Sequence, residues 1–417
     1  MLRVTGRNSD RGGFCDRINR RRFLEVGSLG VFGLTLSDLL RAESRGSQHK
    51  SDKSVILIWQ HGGPSQLDTF DMKPLAPSNI RGPYNSIASS LPGLRVGELL
   101  PYQAKIMDKV SVIRSFSHGN GDHWAAAHWM LTAFVGANGS DRRPRNPSMG
   151  ACVSKLLGPR DPGVPATVNF NDGGFGFHGG AYLGVAHNPF RLGEFSYGNE
   201  AGRLPTADHK SFTLVDGLSK VRLGDRLGLS RQFDRFRRQV DESPVFDSID
   251  EIDQQAVDIL MSGKAKAAFE LDREDKKTRE KYGPGWGEQA LLCRRLIEPG
   301  ARLSVSTPDT GTTTAISRAR WTTRCPATTG RWRADEDLAQ RGMLENPLVV
   351  TPANSAALPR STATPAATTG HRPRAPWWPA GLPGGQVIGT TDKDAAHPTS
   401  RKVDVADFCR IVYRGMA

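Results

Sequence analysis

Apolar positions along the chain change their period several times, and each change marks an element. Residues 54–60 read SVILIWQ, an unbroken apolar run with β-branched residues, closed by His61-Gly62-Gly63-Pro64. Such a run predicts a strand buried on both faces that ends in a loop, as in parallel α/β sheets. VSVI at 110–113 predicts a second strand. From Asp122 onward the sequence DHWAAAHWMLTAF is Ala-rich and predicts a helix. The turn before it then sits at a helix N-terminus, a natural place for an anion. Residues 215–298 are largely helical in pattern and highly charged, including FDSIDEIDQQAVDILMSGKAKAAFEL and GEQALLCRRLIEPGAR. These predict helices covering a sheet, with DREDKKTREK as a solvated face.

The chemistry-bearing residues cluster just after the two predicted strands. Asp68 and Asp71 follow the first, and His118, Asp122, His123 and His128 follow the second. Sites of open α/β sheets gather beyond the carboxyl ends of strands. Histidine and carboxylate there suit a divalent metal such as Zn²⁺ or Mn²⁺. His123 and His128 are five apart, so they do not stack on one helix face as i,i+4 ligands would. For each histidine a hydrogen-bonded structural role stands beside ligation. The stretch DGGFGFHGGAYLG at 172–184 lacks the strand–GxGxxG–helix context and a Walker lysine, so it reads as a loop approaching the site.

Charge adds a location more than a function. The chain has 417 residues and a net charge of +13. Residues 1–50 hold ten basic and five acidic residues, residues 302–334 six and one, and residues 351–380 three and none. The rest is neutral, so the excess does not form a nucleic-acid-binding face, and no helix or sheet motif supports one. The five cysteines are scattered and form no CxxC, which excludes zinc-finger and redox-motif spacings. Within the first block, NRRRFLE is followed by VGSLGVFGLTLSDLL, a basic cluster before a short apolar segment. That is a signal-peptide pattern, too short for a stable membrane span. Arg20-Arg21 with Phe23-Leu24 resembles the twin-arginine export signal, with Asn19 in place of the usual Ser or Thr and Glu25 where Lys is common. Residues 1–42 are assigned to it, with Leu40-Arg41-Ala42 at the cleavage point. An amphipathic N-terminal helix is the alternative.

Four stretches, HGGPSQLDTFDMKP, SHGNGDHWAAAHWMLTA, AFELDRE…REKYG and ALLCRRLIEPGAR, together resemble the secreted bacterial family known as domain of unknown function 1501. DLAQRGMLENPLVV and GLPGGQVIGTTD resemble its C-terminal part. The family is placed beside the sulfatases and alkaline phosphatases. The resemblance implies an alkaline-phosphatase/sulfatase-like three-layer sandwich over residues 51–417, with a mainly parallel central sheet. It also implies hydrolysis of phosphate or sulfate esters using one or two divalent metals (Zn, Mn or Ca). Carried over residue by residue, the implied metal ligands are His61, Asp68, His118 and His123. No nucleophile follows; Ser65, Ser115 and Ser117 are nearby hydroxyls.

Two passages depart from the pattern. Where the family shows a G-W-D-x-H-G-type motif, residues 308–315 read PDTGTTTA. Where it shows E-F-G-R-T-P and later R-D-H-W, the chain reads TPANSAALPRSTATPAATTGHRPRAPWWPAG. Codons for the first passage, read from each third base, permit G-H-W-D-H-H-G. The same displacement of the second permits G-E-F-G-R-T-P-K-I-N-G-N-A-G-R-D-H-W. Two compensated frameshifts, over about 302–334 and 351–380, therefore account for both passages and for their Ala, Arg, Pro and Thr content; a low-complexity loop is the alternative. Displacement would disrupt the C-terminal part of the fold, replace core strands by Pro-containing segments and remove the acids and histidines of the family pattern.

The resulting expectation is an exported protein, periplasmic or extracellular, of a metal-dependent ester hydrolase lineage, inactive as written. Its partners would be the twin-arginine export machinery and a small ester, not nucleic acid. The alternative is a non-catalytic exported binding or cell-surface protein.

Overall fold

In the computed structural model, Val55–Ile58 form strand β1, and every residue of it is buried. The structure describes residues 53–59, 66–81, 84–120, 122–135, 145–170, 179–192, 219, 221–226, 244–284, 286–306, 337–338, 340–341, 347–352 and 384–416. The chain divides into two units after Ser51, and all described residues belong to the second.

The remaining strands are β2 (Ser86–Ala88), β3 (Arg95–Gly97), β4 (Ser111–Ile113), β5 (Thr167–Phe170), β6 (Phe190–Leu192), β7 (Leu303–Ser306), β8 (Leu348–Val350), β9 (Gln386–Ile388), β10 (Thr390–Thr391) and β11 (Pro398–Ser400). The longer helices are α1 (His123–Thr132), α2 (Met149–Leu157), α3 (Pro244–Ser262), α4 (Lys264–Phe269), α5 (Lys276–Tyr282), α6 (Trp286–Ile297) and α7 (Val405–Arg414).

Among the described residues, five strands form the main sheet in the order β6-β5-β7-β1-β8. All its pairings are parallel, with Val55 beside Leu303 on one side and Leu348 on the other. A second parallel pair joins β4 to β9, while β2/β3 and β10/β11 are antiparallel pairs.

Alternation along β1 divides the core. Val55, Leu57 and Trp59 join a cluster with Ala127, Met130 and Leu131 of α1, Met149 and Val153 of α2, and Phe408 and Val412 of α7. Ile56 and Ile58 join a second cluster with Ala265 and Phe269 of α4 and Leu292, Cys293 and Leu296 of α6. Period-two side chains with both faces apolar require cover on both sides, and the helices supply it. The architecture is thus a helix–sheet–helix sandwich with a mainly parallel central sheet.

Local signals set the helix starts. The Asp122 side chain accepts from the Ala125 amide at 2.7 Å and fixes the first turn of α1. Ser148 does the same for α2, and Asp404 with Asp407 forms a reciprocal capping box on α7.

The start of the first passage, Leu303–Ser306, is a core strand, and so is Leu348–Val350 just before the second. Leu303–Ser306 lies between β5 and β1, and Leu348–Val350 pairs with the other side of β1. The ladder from β6 to β8 is continuous. The remainder of the two passages, 307–334 and 353–380, lies outside the described residues.

Candidate functional site

Parallel pairing puts the carboxyl ends of the five strands, Ile58, Phe170, Leu192, Ser306 and Val350, along one edge. Strand β1 stands between β7 and β8 and leads toward His61, which lies outside the described residues, as does Ser65. The chain re-enters at Gln66 in a tight turn, with the Thr69 and Asp71 amides donating to the Gln66 carbonyl.

Asp68 sits in that turn, half-buried. Its backbone is pinned by β3, because the Gly97 amide donates to the Thr69 carbonyl at 2.8 Å. A Cβ on Gly97 would stand 2.1 Å from the Asp68 carbonyl oxygen, so only glycine fits there. The Gln66 side chain adds an anchor by donating to the Ala395 carbonyl at 3.1 Å.

The second candidate segment leaves β4. Arg114 reaches from the end of that strand to the Phe70 carbonyl, donating from Nε at 2.9 Å and from Nη2 at 2.5 Å. The turn bearing Asp68 and the loop bearing His118 are thereby clamped together. His118 is buried, its ring edge-on to Phe116 at 6.0 Å and to Trp129 at 5.9 Å. His123 opens α1, and its side chain lies outside the described residues. Of the four residues expected to ligate metal, the structure thus describes the side chains of Asp68 and His118, on adjoining segments.

Other residues near the strand ends have structural partners. Asp71 is 2% exposed; it accepts from Lys73 Nζ at 3.0 Å and from the Thr391 hydroxyl, with Arg114 Nε 3.5 Å away. The carboxylate ties three segments together. His128 is buried, with Nδ1 2.9 Å from the Phe134 carbonyl. A carbonyl only accepts, so Nδ1 carries the proton. Ser115 is buried and donates to the Arg401 carbonyl, and Ser117 is buried beside Val403, to whose carbonyl its amide donates.

These commitments bear on the metal expectation. Among the described residues, no group of three or more His, Cys, Asp or Glu could hold a metal ion. Asp71 and His128 are engaged elsewhere, and of the expected ligand set Asp68 and His118 are the members with described side chains.

The Gly-rich segment does follow a strand, since β5 ends at Phe170. Its described end, Ala181–Leu183, is a 3₁₀ turn and not the start of a phosphate-cradling helix. At the sheet edge, Ser306 donates to Gln289 Oε1 at 3.0 Å, a buried polar pair that sequence patterning does not reveal.

A larger feature was also hidden in the charge pattern. Arg294 on α6 has a side chain 1% exposed and pairs with Glu274, Glu298 and Asp337. Glu274 also meets Arg295 and Arg341, each at 2.8 Å, and Asp337 meets Arg341 at 3.0 Å and accepts from the Tyr282 hydroxyl at 2.9 Å. Burial raises the Glu274 pKa, yet Arg295, Arg294 and Arg341 outweigh it and hold the group below the usual carboxylate range. Burial and then the Asp337 charge push the Tyr282 hydroxyl up. Glu274 belongs to DREDKKTREK, expected as a solvated face; Lys276 and Glu280 do face water, whereas Glu274 is nearly buried.

The comparison with curated protein sequences returned no match. Several solved structures resemble the chain at a distance, two of them as follows. One is the PsFucS1 sulfatase from Pseudoalteromonas sp., at 11% identity and a TM-score of 0.39, covering 91% of this chain and 70% of that one. The other is the lipoteichoic acid synthase LtaP from Listeria monocytogenes, at 10% identity and a TM-score of 0.35, covering 82% and 67%. Likeness at this level assigns no chemistry. The family model described as "Protein of unknown function (DUF1501)" matches residues 52–417, the whole of the second unit, and the chain belongs to that family.

Proposed function

We propose that this chain descends from exported metal-dependent hydrolases of phosphate or sulfate esters and that, as written, it does not turn over. The observation that carries the lineage is the clamp between the two candidate segments. Arg114 holds the turn of Asp68 against the loop of His118, beyond the ends of β1 and β4, where open parallel sheets gather their chemistry. In this reading His61 and His123 complete the donor set, and Zn²⁺, Mn²⁺ or Ca²⁺ is the metal class. Inactivity rests on what the two passages lack: residues 308–315 contain one acid and no histidine, and residues 351–380 contain no acid.

Export by the twin-arginine machinery rests on Arg20-Arg21 and the apolar segment after them. No helix among the described residues is long and apolar enough to cross a membrane. The second reading, a non-catalytic exported binding protein, is favoured by the structural commitment of Asp71 and His128.

The test compares the written chain with one whose two passages are restored to the displaced frame. Bound metal is measured by elemental analysis, and hydrolysis with aryl phosphate and aryl sulfate esters. The restored chain is expected to bind metal and cleave an ester, and the written chain to do neither. Turnover by the written chain overturns its inactivity. A restored chain without metal or turnover overturns the hydrolase lineage and leaves the binding protein.

A further inference from the structure

We propose that the carboxyl edge of the main sheet carries an uncharged set of hydrogen-bond donors, Trp59, Asn169, Gln289 and Thr351, that takes a fully ionised tetrahedral oxyanion, a sulfate group in preference to a phosphate. The inference rests on the ester-hydrolase reading for the kind of substrate. It deepens that reading by naming the headgroup and the side chains that hold it without a metal.

Each strand from β5 across to β8 brings one such group to the edge. Trp59 follows the last residue of β1, Asn169 is next to last in β5, and Thr351 follows the last residue of β8. Gln289 comes from α6, where its Oε1 accepts from the Ser306 hydroxyl at the end of β7. Register brings them to one level, since Phe170 and Ile58 both stand opposite Ser306, and Leu57 stands opposite Val350. Adjacent strands lie about 4.8 Å apart, so β7, β1 and β8 present their groups across about 10 Å. Alternation puts Trp59 and Asn169 on the side of α1 and α2, and Gln289 and Thr351 on the side of α6. The set straddles the edge.

All four residues are at most 2% exposed. Yet Trp59 Nε1, Asn169 Nδ2, Gln289 Nε2 and Thr351 Oγ1 meet no hydrogen-bond partner among the described residues. A buried polar group without a partner is costly, and native proteins keep few of them. Four at one edge mark a place where a ligand supplies the partners. The other end of β1 gives the contrast: Ser54 is buried there too, and its hydroxyl donates to the Ala301 carbonyl at 2.9 Å.

The atom types choose the ligand. An indole nitrogen and a carboxamide nitrogen donate and do not accept, so three of the four atoms require acceptors. Sulfate at neutral pH offers acceptor oxygens and no proton. Inorganic phosphate keeps a proton there, and that proton would face a donor.

Isothermal titration of the full written chain at pH 7 with sodium sulfate and with sodium phosphate, in the presence of a chelator, tests this. Sulfate is expected to bind about 10-fold or more tightly than phosphate. Gln289→Met and Trp59→Phe keep the shape but lose the N–H, and Thr351→Val loses the hydroxyl; each should weaken sulfate binding about 10-fold. Ser54→Ala removes a buried hydroxyl at the opposite end and should leave the affinity unchanged, with urea midpoints reporting the folding of every variant. Absent sulfate binding by the parent, equal affinity for the two anions, or the same weakening in Ser54→Ala overturns the proposal. Metal binding and turnover by the restored chain without sulfate binding here would sink the donor set alone. Sulfate binding here with neither metal nor turnover there would sink the hydrolase lineage alone.

Discussion

His128 has its ring buried within α1, and its Nδ1 donates to the Phe134 carbonyl. Burial disfavours the imidazolium and lowers its pKa, against the pull of that carbonyl and with a small push from Arg145. The unfolded chain therefore takes up the proton first. Stability supplied by this residue is complete above about pH 6.5 and is lost as pH falls through that value and on through the folded pKa. His128→Leu removes the titration. The urea midpoint of the parent, taken relative to that variant, is expected to fall between about pH 7.5 and pH 5; parallel midpoints would refute the assignment. Residue type and position after β4 left His128 open in the sequence between ligation and a structural role. What distinguishes it is a carbonyl six residues away that becomes a partner only when α1 ends at Ala133 in the left-handed region. Asp71 teaches the same lesson over a longer span, since its Thr391 partner is 320 positions away. Asp122 was legible, because a helix start depends on neighbours three residues on.

At the scale of elements, β1, β4 and α1 stand where their apolar patterns place them, since burial on both faces or along an Ala-rich stretch is written locally. The network around Arg294 was not legible. It joins Glu274, α5, α6 and the segment that precedes β8, so three stretches that carry the family resemblance meet at one buried point. Those stretches are explained as braces, not as catalytic motifs. Arg294→Ala leaves the Glu274 and Asp337 carboxylates facing a gap, and the expected loss is about 3 kcal/mol, the usual cost of breaking one side of a buried pair. Glu298 and Arg341 are about a third exposed, so their share is screened. In a double-mutant cycle with Glu274→Ala, the second substitution should cost much less once the first is made. Additive losses would show that the pairs are independent of one another.

For the whole molecule, the α/β class was readable from a continuous apolar run followed by alternating elements, whereas the order β6-β5-β7-β1-β8 was not. β1 finds its two neighbours across some of the longest separations in the chain, and no local pattern names them. The same topology decides how much of the chain the fold needs. β8 is paired with β1 and β9 with β4, so the described sheets are formed without residues 353–383. A connection contributes closure entropy that grows with the logarithm of its length, so halving it changes stability by about 0.6 kcal/mol in the stabilising direction. Replacing residues 353–383 with a 15-residue Gly/Ser connector, about half the length, is therefore expected to leave the urea midpoint and the steepness of the transition within about 1 kcal/mol of the parent. A connector of that length reaches at most about 50 Å, ample within one domain. If the passage contributed a core strand, its removal would expose the flank of the sheet, and the loss would be several kcal/mol with a shallower transition. The experiment weighs a connection against a core element in a single measurement, and the closed packing on either side of the passage places the expected result with the connection.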